Sequence, residues 1–121
     1  MYHSFEDLEV WKRGCRLAVE VIQTITPSRE FYMRDQMQRA ALSIPSNIAE
    51  GSERDSRLDY IRFLRIAKGS AAELRTQCYI ADKLGILKHK EAVHFTVECK
   101  EIASMLQGLV RAIKRAKTTT A

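Results

Sequence analysis

Apolar residues recur along this chain in four runs, each stepping alternately by three and four. The first run, about residues 7–26, places Leu8, Trp11, Cys15, Ala18, Ile22 and Ile25 on one line. That spacing is the seam of a helix packed lengthwise on another helix. Ser4, with Asp7 three residues later, predicts a capped start, and Pro27 predicts the stop. The second run, about 29–52, carries Met33, Met37, Ala40, Ile44, Asn47 and Gly51 at the same alternating steps. Pro45 lies inside it and removes a backbone hydrogen bond, which predicts a kink. The third run, about 56–84, is unbroken: Tyr60, Leu64, Ala67, Ala71, Leu74, Cys78 and Ala81. Ser56 with Asp59 caps its start, and Gly85 followed by Ile86 predicts a left-handed stop with its hydrophobic contact. The fourth run, about 88–116, reads Phe95, Cys99, Ile102, Leu106, Leu109 and Ile113, leaving 118–121 as a frayed tail. Connections of a few residues make neighbouring helices antiparallel, so the expected fold is all-α, one domain over residues 1–121, an up-down-up-down four-helix bundle.

Two features exceed that pattern. Apolar side chains remain outside the seams: Val10, Leu17 and Val21 on helix one, Ile66 and Ile80 on helix three, Val97 and Val110 on helix four. They fit either a wide core stripe or an interface between copies. The other feature is polarity at core positions. Asn47 and Glu50 flank the kinked stretch of helix two, and Ser70 and Glu73 answer them on helix three. An unpaired buried polar group costs about 1–3 kcal/mol. The pattern therefore predicts a hydrogen-bonded link between the two helices, drawn from Asn47, Glu50, Ser70 and Glu73, that fixes their register.

Composition narrows the function. The chain has 121 residues, 45% hydrophobic and 29% charged, with two prolines and five glycines; this excludes collagen, a disulfide scaffold and low-complexity disorder. No apolar run reaches the roughly 20 residues of a membrane span, and Met1 to Asp7 lacks the apolar stretch of a signal peptide. A cytoplasmic protein without a membrane partner is expected. The formal net charge is +5, unevenly spread. Residues 1–60 carry eight basic and ten acidic side chains; residues 61–121 carry twelve basic and five acidic. A basic half suggests an anionic partner, RNA or DNA. The candidate contacts are Arg62, Arg65, Lys68 and Arg75 on helix three, and Arg111, Lys114, Arg115 and Lys117 on helix four, with Lys12, Arg13 and Arg16 as a helix-one contribution. No aromatic platform is read beside them in the sequence, so base stacking is not indicated and sequence-independent phosphate contact is expected.

Catalytic and metal chemistry is not indicated. Cys15, Cys78 and Cys99 lie on seams at wide spacing and read as small buried hydrophobes in a reducing compartment. Glu91 and His94 form one Glu-x-x-His, whereas di-iron bundles need two with further core glutamates. There is no phosphate loop, no nucleophile elbow, and no arginine followed four to six residues later by a histidine. No enzyme, cofactor or metal is expected.

The run Ser43-Ile44-Pro45-Ser46-Asn47-Ile48-Ala49-Glu50-Gly51, with Arg62 to Leu74 after it, resembles the four helix bundle protein family, also called the 23S rRNA-intervening-sequence protein family. Phe5-x-x-Leu8-x-Val10-Trp11, Gln36-x-x-Arg39-Ala40-Ala41 and Lys83-Leu84-Gly85-Ile86-Leu87 are similar to its pattern as well. The resemblance implies a small bacterial cytoplasmic protein that assembles as a homopentamer and has no established enzymatic activity. Accessory variability proteins of diversity-generating retroelements look similar; they are basic pentamers that bind nucleic acid and a reverse transcriptase. Two function classes follow: a non-enzymatic homo-oligomeric scaffold that contacts nucleic acid, or a protein–protein adaptor, binding a reverse transcriptase or another protein, whose basic surface is idle. A ring of five would carry about +25, enough to draw polyanions by field alone.

Overall fold

The computed structural model describes residues 4–119, with side chains placed through Ala116. The chain is all-α, with no strand among the described residues. A 3-10 turn at Phe5–Asp7 precedes four helices: α1 (Glu9–Ile25), α2 (Phe31–Ser52), α3 (Arg57–Lys83) and α4 (His89–Thr119). Sequence neighbours pack side by side, α1 on α2, α2 on α3 and α3 on α4, while α1 meets α4 along a much shorter stretch. No helix among the described residues is long and apolar enough to cross a membrane.

The helix ends follow local chemistry. The Ser4 hydroxyl accepts the Glu6 N–H at 3.2 Å, but this closes the 3-10 turn, and α1 begins only after an extended Leu8. Ser56 accepts the Asp59 N–H at 3.1 Å and starts α3. Gly85, at φ 74°, ends it. Ile86 then donates to the Ala81 carbonyl at 2.8 Å and packs on the core, a left-handed stop that glycine permits without strain. Glu91 accepts the Lys88 N–H at 3.0 Å, opening α4. Of the frayed tail expected at 118–121, Thr118 and Thr119 instead continue α4, and 120–121 lie outside the described residues.

The expected stripes of α3 and α4 face the core: Leu64, Ala67, Ala71, Leu74, Cys78 and Ala81 from α3, and Phe95, Cys99, Ile102 and Leu106 from α4. Helix α1 is turned by about one residue from expectation. Its buried residues are Val10, Gly14, Leu17, Ala18, Val21 and Ile25, so Ala18 and Ile25 of the expected seam are buried, whereas Leu8, Trp11, Cys15 and Ile22 are only half-buried. The cause is its unequal support. Gly14 faces Ile44 and Pro45 of α2, so a Cβ there would lie 3.4 and 3.6 Å from their side chains. Helix α1 packs on α2 at Gly14 and meets α4 through Arg13 and Glu20, and the edge holding Trp11, Cys15 and Ile22 is turned away from those α4 ties. Val10, Leu17, Val21 and Val110 are thus core residues, while Ile66, Ile80 and Val97 are exposed.

The contact between α2 and α3 is tighter still. Pro45 is buried inside α2, which runs through it without a break. At Gly51 a Cβ would fall 2.7 Å from the Phe63 Cβ and 3.3 Å from the Tyr60 carbonyl oxygen. The Phe63 Cβ, held rigidly to the α3 backbone, occupies the space a side chain needs. Gly51→Ala should therefore lower stability by about 1–3 kcal/mol through overpacking. Gly69→Ala, at an exposed helical position with nothing within 4 Å, should raise it by about 0.5–1 kcal/mol. Urea unfolding of both variants checks the pair; equal midpoints would contradict the close approach.

Candidate nucleic-acid interface

Three side chains form the polar link between α2 and α3. Asn47 Nδ2 donates to the Ser43 carbonyl at 2.8 Å and to the Ser43 hydroxyl at 2.9 Å. Ser43 and Ser70 share a hydrogen bond of 2.7 Å between hydroxyls across the helices. Of the four residues expected to form the link, Asn47 and Ser70 are joined through Ser43. Glu50 and Glu73 are exposed and stand outside it. Glu50 instead lies 3.4 Å from Arg54, just past the end of α2, since a carboxylate is far cheaper to keep wet than to bury. Ser43 could have been found from sequence, as it lies four residues before Asn47 on the same helical face.

The basic candidates separate by environment. Arg65, Arg111 and Lys114 are exposed, with no ion pair among the described residues. Lys68 is exposed and donates to Gln107 of α4 at 2.9 Å. Arg62 is exposed, 3.5 Å from Asp59 and stacked at 4.7 Å on the Phe63 ring. Arg75 is half-buried and Arg115 is exposed; the Lys117 side chain lies outside the described residues. On α1, Lys12 lies 3.5 Å from Glu9.

Arg13 does not belong with the free cations. It bridges α1 to α4, donating to Glu98 at 2.8 Å, to Glu101, and to the Met105 sulfur at 3.7 Å. The Glu101 and Glu98 carboxylates hold its pKa above the ordinary value. A second tie crosses the same seam, His94 Nε2 to Glu20 at 2.9 Å. Both members of the Glu-x-x-His motif are thus engaged structurally, Glu91 at the start of α4 and His94 on α1. No group of three or more metal-ligating side chains occurs among the described residues.

A shallow groove of about 240 Å³ opens between α3 and α4, with Tyr79, Val93, Val97 and Lys100 among its lining and Thr96 buried beneath. At one end His89 Nδ1 meets Asp82 at 2.9 Å. The sequence reading missed this groove, because Tyr79, Val93 and Val97 fall between the seams.

Burial divides the thiols. Cys78 and Cys99 are buried and pushed up to about 12, and half-buried Cys15 is raised less, again by burial. At pH 8 an aromatic disulfide reagent should modify Cys15 first, and Cys78 and Cys99 only as fast as the protein unfolds, because the thiolate is the nucleophile. Two or more fast equivalents per chain would contradict this burial.

No curated protein sequence matches this chain. A crystal structure of a protein of unknown function, from the S23 ribosomal protein family of Bacteroides thetaiotaomicron, shares its fold. That protein is 24% identical, with 84% of this chain and 97% of the other covered and a TM-score of 0.79. The sequence pattern described as 23S rRNA-intervening sequence protein matches residues 6–108, which contain the α2–α3 link, the Arg13 clamp and the α3–α4 groove. The chain belongs to the 23S rRNA-intervening sequence protein family.

Proposed function

We propose that this protein is a non-enzymatic, homo-oligomeric four-helix bundle that contacts nucleic acid through its phosphates. An up-down-up-down order is supported by contacts whose residue numbers rise on one helix as they fall on the next. Gly14 lies by Pro45 and Thr26 by Gln38; Gly51 lies by Phe63 and Ser43 by Ser70; Lys68 lies by Gln107 and Asp82 by His89. In that order, the start of α3 and the end of α4 occupy one end of the molecule. Arg62, Arg65, Arg111 and Lys114 collect there, with Lys68 just inside. The α2–α3 link of Asn47, Ser43 and Ser70 serves as register device, not as a ligand site.

The observation that carries the nucleic-acid reading is that Arg65, Arg111 and Lys114 are exposed and outside any ion pair among the described residues. Contacts of this kind position a polyanion without reading its sequence. A basic helix end also complements the helix dipole, but Arg65 lies well inside α3, where that explanation does not apply. Binding of a 20-base-pair RNA duplex should weaken steeply with salt, and Arg65→Gln with Arg111→Gln should flatten the slope of log K against log salt by about two. Absence of binding at 20 mM salt would overturn the proposal.

Exposed Ile66, Ile80 and Leu42 supply apolar surface for self-association, and the family resemblance supplies the number five. Native mass spectrometry should therefore find five times the 13.9 kDa chain mass; a monomer at micromolar concentration would remove the oligomer from the proposal. The same apolar side chains support the second reading, a protein–protein adaptor, which predicts an oligomer that ignores RNA and DNA at every salt concentration.

A further inference from the structure

Two rows of side chains face one another across the outside of α3 and α4. On α3, Arg65, Lys68, Ala72, Arg75 and Tyr79 follow at helical steps; on α4 the opposing row is Lys100, Ser104, Gln107 and Arg111. Their registration is set by Lys68 bonding to Gln107 and by Tyr79 and Lys100 lining one groove. Neither row holds a carboxylate. The α4 acids Glu98 and Glu101 are turned to α1, where Arg13 holds them. Asp82, at the far end of the groove, is engaged by His89. The result is a cationic track about four helical turns long, ending in an apolar recess beside a tyrosine.

We infer that the α3–α4 groove receives an unpaired nucleobase of a single-stranded nucleic acid whose phosphates follow the cationic track. This rests on the proposed nucleic-acid function and narrows it to a class of substrate. Tyr79 is 52% exposed, which leaves its ring open at the groove, and Val93 and Val97 give the recess an apolar wall. A planar, apolar-faced heterocycle suits that lining, with Lys100 and the buried Thr96 as polar groups for its edges. Bases stacked inside a duplex cannot enter a recess between two helices, whereas a splayed base can. Stacking on an aromatic ring is tolerant of base identity, which agrees with the absence of any constellation that reads a particular base. A peptide strand is disfavoured because the track offers five cations, Arg65, Lys68, Arg75, Lys100 and Arg111, at a spacing that only a strongly anionic polymer would neutralise.

The test uses the full chain and two fluorescent probes, a uridine 10-mer and a 10-base-pair RNA duplex, read by anisotropy at low salt. The 10-mer should bind more tightly than the duplex. Tyr79→Ala should weaken the 10-mer about tenfold and leave the duplex unchanged, and Tyr79→Phe, which keeps the ring, should restore the 10-mer. Circular dichroism confirms that the variants fold. Equal affinity for the two probes, with Tyr79→Ala indifferent, would overturn the groove assignment and leave the phosphate-binding proposal standing. Binding of neither probe would overturn both.

Discussion

Where Gly51 lies against Phe63, α2 and α3 are closer than any side chain at position 51 would allow. Small residues continue the approach along the same line: Ser43 meets Ser70, with Ala67 and Ala71 buried nearby on α3. Along this close approach the Ser43 and Ser70 hydroxyls pair with each other, and Asn47 donates to Ser43. This geometry permits Pro45 inside α2. The ring is buried against the α1 surface at Gly14, and the carboxamide of Asn47 supplies a donor to the Ser43 carbonyl within the same stretch. Once α2 and α3 are locked in register, α4 packs along α3, and the positions of both its faces follow.

The helices most legible in the sequence are those packed on two sides. Helix α3 has neighbours in α2 and α4, so its apolar stripe is centred and its spacing identifies the core without error from Leu64 to Ala81. Helix α1 is legible as a helix but not in its rotation. Its apolar surface is wide enough to admit two seams, and the one holding Trp11 and Cys15 contains the larger side chains. The structure turns the other seam inward, burying Val10, Leu17 and Val21, with Gly14, a residue with no hydrophobic signal of its own, against Ile44 and Pro45. Burial of Cys15 failed for the same reason. The polar link was legible in its location and partly in its members, Asn47 and Ser70. Glu50 and Glu73 were misplaced because spacing alone does not distinguish a serine that can hide its hydroxyl from a glutamate that must keep its charge in water.

The seam between α1 and α4 is built on a different principle from the others. It is short, and its cross-links are polar: Arg13 to Glu98 and Glu101, His94 to Glu20. Ion pairs near a surface contribute little to stability, but these decide where charge is displayed. Arg13 counted among the basic candidates in the sequence, yet it is spent inward. In turning Glu98 and Glu101 toward α1, it takes two carboxylates off the flank of α4 that borders the α3 track. A net charge of +5 therefore understates the potential on that flank.

This couples the closure of the helices to the surface they present. If α1 moved away from α4, Glu98 and Glu101 would lose their partner and their fields would reach Lys100 on the same helix, within a Debye length of about 8–10 Å. The cationic track would weaken without any change in its own residues. Helix α1 thus acts on the α3–α4 surface through charge, although among the described residues its backbone does not come close to that of α3. A contact between copies that pressed α1 onto α4 would sharpen the same potential. Any attraction of a polyanion to this flank would therefore depend on α1 being held in place.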